Sequence, residues 1–287
     1  MSYERSADSG KRTANSDRIR ANYDAGVERE WNRLVLDAYR GLEFSLTWEA
    51  LTRLLPAGSL VLDAGGGPGR YSLALARAGF DVHLVDLSPA QVQFVRERFS
   101  EEPADVQARL LGCETADLRD LSRFSPGSFD AVVCLGAPLT HIPEAADRVQ
   151  AVRQMARVVR PGGWLFLTGV GRLAVLRWML NFSSEELLTT NFERFLQDGM
   201  LFGPGGMLWH FFRADELRQL AESCGLETIE MRGCQGLSSG LIDSTNRMAE
   251  TQQEMWRAWQ DILLRTANEP AVVDGAEHIL WIGKKPD

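Results

Sequence analysis

An apolar run that ends in an acid and opens into glycines, followed by a second apolar run that ends in another acid, constrains this chain more than any other feature. The first is Leu60-Val61-Leu62-Asp63, entering Ala64-Gly65-Gly66-Gly67-Pro68-Gly69; the second is Val82-His83-Leu84-Val85-Asp86. Strand, glycine turn, helix and strand make a Rossmann-type unit. Asp86 lies about 20 residues past the first glycines, where such a unit sets a ribose-binding carboxylate. Gly65 and Gly67 let the backbone take φ > 0 and let a ligand press on the main chain with no Cβ in the way. Gly69 brings the next helix close to the strand. A nucleoside-containing cofactor at the carboxyl ends of the strands is the expectation.

Two residues narrow the choice of cofactor. A pyrophosphate over a helix N-terminus favours positive or neutral surroundings, and Asp63 at the strand end would repel it. Pro68 removes one backbone N–H that a phosphate cradle would use. A cofactor with a cationic centre tolerates both, which favours S-adenosylmethionine, with its sulfonium and ammonium, over NAD or FAD.

With these residues in place, the chain resembles the class I S-adenosylmethionine-dependent methyltransferases from roughly Ser59 to Thr168. Asp63 through Gly69 match that family's acid-x-Gly-x-Gly-x-Gly loop, which holds the methionine end of the cofactor. Asp86 matches the acid that accepts the ribose hydroxyls, with Leu87 beside the adenine. Asp117-Leu118 resembles the acid-plus-apolar pair at the adenine amino group. Phe129 to Gly136 is similar to the fourth strand, so that Leu135 would face the transferring methyl. Val158 to Leu165, with Pro161-Gly162-Gly163 in its middle, is similar to the turn and fifth strand that close the family core. The resemblance implies methyl transfer with S-adenosylhomocysteine as product.

Composition limits the partners. The 287 residues, 45% hydrophobic and 24% charged, are enough for one α/β domain with elaborations. No run approaches the ~20 apolar residues that span a bilayer, and the polar start, Met1 to Arg12, lacks a signal-peptide pattern. No membrane partner and a cytoplasmic location are expected. A formal net charge of −8 with dispersed Lys and Arg argues against nucleic acid as partner. Cys113, Cys134, Cys224 and Cys234 show no metal-binding spacing and read as reduced thiols.

Along the chain, residues 1–17 are expected to be disordered and 18–287 to form a single domain. Residues 18–56 show helical spacing and read as an N-terminal cap. Strands over 60–63, 81–86, near 108–113, 129–135 and 163–168 alternate with helices over 70–78, 89–99 and 146–159. Further strands fall at Glu227–Met231 and His278–Ile282. The fold class is a doubly wound, Rossmann-like, mostly parallel seven-stranded sheet. Two elaborations stand out. Residues 172–212 form a long aromatic-rich insertion of the kind that serves as a lid. Residues 244–267 carry Met248, Met255, Trp256, Trp259, Ile262 and Leu263 at helical spacing. This accessory helix would pack on the body or, in a homodimer, on a second copy.

Methyl transfer asks the protein to align the acceptor, exclude water and remove a proton. His141, just past the fourth strand, and His210, at the end of the insertion, are the candidate bases, because imidazole accepts a proton near neutrality. Tyr23 is expected over the cofactor, and Trp31 and Trp209 against the acceptor. Leu135-Gly136-Ala137-Pro138-Leu139 lacks the Asn/Asp-Pro-Pro-aromatic loop that family members acting on amide or base nitrogens carry, and no carboxylate cluster suggests a metal. The expected acceptor is a small molecule with an O, N or S nucleophile, methylated without metal. A peptide or protein acceptor, or a non-catalytic cofactor-binding protein, are the competing readings.

Overall fold

The computed structural model of the chain describes residues 14–287. Helices α1 (14–24), α2 (Val27–Arg33) and α3 (Ala38–Leu54) precede β1 (Leu60–Ala64). Then come α4 (Arg70–Arg77), β2 (Asp81–Asp86), α5 (Pro89–Ser100), α6 (Ala104–Gln107), β3 (Leu110–Thr115) and β4 (Phe129–Cys134). A 3-10 turn, Pro138–His141, leads to α7 (Ala145–Val158) and β5 (Val159–Val170). The insertion holds α8 (Arg172–Phe182), α9 (Thr190–Asp198), β6 (Met200–Phe202) and β7 (Leu208–His210). The chain closes with α10 (Ala214–Ser223), β8 (Glu227–Gly233), α11 (Ile242–Thr251), α12 (Gln253–Thr266), α13 (Pro270–Gly275) and β9 (His278–Lys284).

Seven strands form one sheet in the order β3-β2-β1-β4-β5-β9-β8, with β6 and β7 paired separately. The five N-terminal strands run parallel; β9 runs antiparallel to both β5 and β8. Alternate residues of each strand feed opposite layers, as the twofold period of a strand requires. Leu62, Val132, Leu165 and Trp281 pack under α7 and α10 with Val152, Met155 and Leu217. Val61, Ala131, Phe166 and Ile282 pack under α3 and α4 with Leu51 and Leu75. The order reverses between β1 and β4, and such a switch point leaves a crevice at the strands' carboxyl ends.

Several boundaries differ from the sequence expectations, each for a physical reason. Residues 14–17, expected to be disordered, are helical; the rest of that expectation, 1–13, lies outside the described residues. β3 starts at Leu110 instead of 108, because Pro103 opens the short α6 and the β2–β3 register slips between Val82 and His83. β5 starts at Val159, where the 146–159 helix was expected to continue, and pairs with β9 along seven residues from Trp164 to Val170. The 172–212 insertion is built of two helices and a hairpin around its own core of Met179, Phe192, Phe195 and Phe211. The expected single helix over 244–267 is two, broken at Gln252 (φ −139°, ψ 63°). Its Trp256 and Trp259 pack on Leu42 and Leu46 of α3. Among the described residues, no helix is long and apolar enough to cross a membrane.

Gly69 joins the glycine turn to α4 at φ +79°, and a Cβ there would lie 2.8 Å from Val95 of α5. Both the left-handed backbone and the close approach exclude a side chain. Gly69→Ala is expected to cost about 1–3 kcal/mol, measured as the shift in chemical denaturation. Unchanged stability would contradict the close seating of α4 on α5.

Candidate active site

The crevice between β1 and β4 opens into a cavity of about 1190 Å³, counted out to its mouth. Its floor is the glycine turn. Gly65 and Gly66 donate to Val85 O at 2.8 and 3.2 Å, which pins the turn onto β2. The Gly67 N–H donates to Asp86 Oδ2 and the Ser88 N–H to Asp86 Oδ1, both at 2.8 Å. Burial raises the Asp86 carboxyl above its ordinary range, against these two N–H donors that favour the anion. Gly67 lines the cavity at φ +54°, and a Cβ added there would meet nothing within 4 Å, so the open side of the turn is bare main chain. That surface, with a carboxylate whose remaining lone pairs are available to a diol, fits a nucleoside seated on backbone.

Leu87 and Leu118 line the next stretch of wall. Asp117 lies there too, and both its oxygens accept from Arg119, at 2.9 and 3.0 Å from Nε. Arg119 also reaches Asp147 Oδ2 at 3.0 Å and Ser16 Oγ of α1 at 3.1 Å. The guanidinium thus fixes Asp117 and ties the cap to the cavity rim.

The far wall is the end of β4: Leu135, Gly136, Pro138 and His141. The backbone turns here through left-handed Gly136 (φ 74°) and Ala137 (φ 63°), an unfavourable conformation for alanine. Two threonines hold it. Thr168 Oγ1 accepts from Ala137 N–H at 2.8 Å and donates to Cys134 O at 3.0 Å; Thr140 Oγ1 accepts from Val170 N–H at 3.0 Å. The turn presents His141 to α1, where Tyr23 Oη sits 2.7 Å from His141 Nε2. Burial pushes the imidazole down to about 4, so it is neutral at physiological pH, and burial raises the Tyr23 phenol. His141 Nδ1 is buried and has no hydrogen-bond partner.

Of the residues expected in the site, Tyr23, Gly65, Gly67, Asp86 and Leu87 line this one cavity, as do Asp117, Leu118, Leu135 and His141. Asp63, Gly69, Trp31, Trp209 and His210 do not. Asp63 is buried behind the turn; Oδ2 accepts from Ser72 Oγ at 2.7 Å and Oδ1 has no partner. Trp31 packs outside, its carbonyl accepting from Arg70 Nε at 2.7 Å and its ring under that guanidinium. Trp209 lies behind His141, ring centroids 5.9 Å apart and nearly perpendicular. His210 is buried 2.5 Å from Glu216 Oε1 and faces the body of the domain.

Sequence reasoning missed Arg33 and Ile19 on the cavity wall. Arg33 forms a two-pronged pair with Glu43 (2.5 and 3.1 Å). Burial opposes the Glu43 charge, yet Arg33 holds its pKa below the usual range. A signal existed: Glu43 falls on the buried face of α3 with Tyr39, Leu42, Leu46 and Thr47, and a buried acid needs a partner. Among the described residues, no group of three or more His, Cys, Asp or Glu could hold a metal ion.

Comparison with known proteins agrees with this geometry. A family model described as a methyltransferase domain matches residues 61–163. The ubiquinone biosynthesis O-methyltransferase of Thiobacillus denitrificans is 32% identical over 182 residues, 63% of this chain and 70% of that one. The protein of the same name from Xanthomonas axonopodis pv. citri is 39% identical over 120 residues, 42% of this chain and 46% of its relative. A structure of an S-adenosylmethionine-dependent methyltransferase from Methanosarcina mazei superimposes with a TM-score of 0.57 at 23% identity, over 83% of this chain and 97% of that one, a likeness of fold. The chain belongs to the class I S-adenosylmethionine-dependent methyltransferases. It is an enzyme of that class, and S-adenosylmethionine is its cofactor.

Asp63 carries a measurable consequence. Burial pushes its carboxyl up to about 7, against the Ser72 hydrogen bond. The native state therefore keeps a proton that the unfolded chain releases near pH 3.9. The stability this contributes is complete below about pH 4 and is lost as pH rises through about 7. The melting-temperature difference between Asp63→Asn and wild type is expected to grow in favour of the variant from pH 4 to 7. A constant difference would contradict the buried, protonated carboxyl.

Proposed function

We propose that this enzyme transfers the methyl group to a hydroxyl oxygen of a small molecule, with the proton leaving through Tyr23 and His141. The observation that carries the reading is the 2.7 Å contact between Tyr23 Oη and His141 Nε2 at the end of β4. A raised phenol stays protonated and passes a proton on; a neutral imidazole can take it. When bound, the cofactor supplies an electrophilic methyl on a sulfonium.

The chain's own residues do the rest. Asp86 and the glycine turn would hold the ribose and the methionine end, with Gly69 and the buried Asp63 shaping the turn; Leu87, Asp117 and Leu118 would take the adenine. Leu135 would face the methyl. When the methyl passes from sulfur to the acceptor oxygen, the hydroxyl proton of the acceptor would move to Tyr23 Oη while the Tyr23 proton moves to His141 Nε2. Alignment and exclusion of water fall to the 18–56 cap and the 172–212 insertion acting as a lid. Support for a small acceptor comes from the roof: α1 contributes Ser16, Ile19 and Tyr23 to the cavity wall, and α2 contributes Glu30 and Arg33. Support for oxygen comes from the relatives' names as O-methyltransferases.

The test uses methyl-labelled S-adenosylmethionine with 3,4-dihydroxybenzoate and a panel of other hydroxylated small molecules. Label is expected in an alkali-stable ether of a small product. For whichever acceptor turns over, His141→Gln should lower kcat by about 10²–10⁴-fold, the usual contribution of a positioned base. Tyr23→Phe should lower it by a smaller factor, and both should leave S-adenosylhomocysteine affinity within about twofold. Full turnover by both variants, or label appearing only in protein, would overturn the proposal.

A further inference from the structure

The insertion leaves the body and returns to it at one point. Arg172, its first residue, donates from N–H to Phe212 O at 2.8 Å, and the Phe212 N–H donates to Val170 O at 2.8 Å. Both stems then converge on a single carboxylate in the first turn of α10. Glu216 Oε2 accepts from Arg172 Nη2 at 2.9 Å, and Glu216 Oε1 lies 2.5 Å from His210 Nε2. Phe212 packs on His210, ring centroids 4.7 Å apart and perpendicular, and Arg148 of α7 lies over the Phe212 ring.

Between those stems, the three residues of β7 each touch a different part of the site. The Leu208 N–H donates to Asn15 Oδ1 of α1 at 2.9 Å, and Asn15 Nδ2 donates back to Leu208 O at 3.3 Å. The Trp209 indole closes one side of His141 and also packs on the insertion's own core. His210 is the anchor on Glu216. A three-residue strand is stiff, and the side chains of adjacent residues point to opposite faces. Where His210 seats therefore decides where Trp209 lies.

We propose that Glu216 is a positioning residue for His141: by anchoring His210 it seats β7 so that Trp209 covers the imidazole. The inference rests on the reading of His141 as the proton acceptor, and it assigns His210 to the anchor. Burial is what holds His141 neutral. Tyr23 from α1 and Trp209 from β7 pack against it, the cavity it lines also carries Glu30, Arg33, Glu144 and Asp147, and the nearby Arg148 guanidinium of α7 is committed to the carbonyls of Ile142 and Pro143. Loss of the Trp209 cover lets water reach the ring and returns it toward the ordinary histidine pKa of about 6.5.

The experiment is an NMR titration of the His141 ring in the full chain bound to S-adenosylhomocysteine. It compares wild type, Glu216→Ala, Glu216→Gln, Trp209→Ala and the double variant Glu216→Ala/Trp209→Ala. Glu216→Ala should raise the His141 pKa by at least one unit, and Glu216→Gln, which can still accept from His210, by less. Trp209→Ala should reproduce the Glu216→Ala shift, and the double variant should add nothing beyond the larger single shift. An unchanged titration in Glu216→Ala or in Trp209→Ala, or shifts that sum in the double variant, would overturn the proposal. The readout is independent of turnover: a His141→Gln variant with full activity would refute the base while leaving these shifts in place.

Discussion

The site depends on one junction, where the Gly67 N–H and the Ser88 N–H close on the two oxygens of Asp86. A glycine turn is floppy by itself, because glycine gives up more backbone freedom on ordering than any other residue. Here its main chain is stitched to β2 twice through Val85 O and once through Asp86. The same carboxylate is thus the fastener of the loop and, in the proposed function, the acceptor for a ribose. That dual use explains why an acid that burial disfavours is retained at the end of a buried strand: the N–H donors offset part of its desolvation.

Residues outside the 61–163 methyltransferase core supply one wall of the cavity, all of it from the N-terminal helices and the turn after them. α1 reaches it with Ser16, Ile19 and Tyr23, spaced as one helix face, and is tied to the β6–β7 hairpin through Asn15. The two threonines under the Gly136–Ala137 turn support the strained backbone that brings His141 forward. Core and elaborations divide the work accordingly. In the proposed function, core strands hold the cofactor by main-chain geometry, and α1 and α2 close over the reacting end by side-chain contact.

How much was legible in the sequence follows from this division. The glycine turn, Asp86 and the β4 end were readable because backbone conformation and strand ends impose residue types at set spacings. Tyr23 and His141 were each readable by position, but their pairing joins residues 118 apart and has no local signature. His210 shows the limit: it ends a strand near the site, yet the alternation of a strand turns it away, toward Glu216. Asp63 was read as tolerating a cationic cofactor; it lies behind the turn, where burial acts on it directly. Arg33 escaped notice because its partner Glu43 hid within an otherwise apolar helix face. The break at Gln252 was invisible for the same kind of reason, since the apolar spacing runs unbroken across it.

Isothermal titration of the purified chain with S-adenosylhomocysteine, set beside an identical titration with NAD, tests the central claim most directly. The account predicts saturable one-site heat with the thioether nucleoside and none with the dinucleotide, whose phosphates find no backbone N–H at Pro68 on the cavity floor. Heat with NAD alone, or with neither compound, would contradict it.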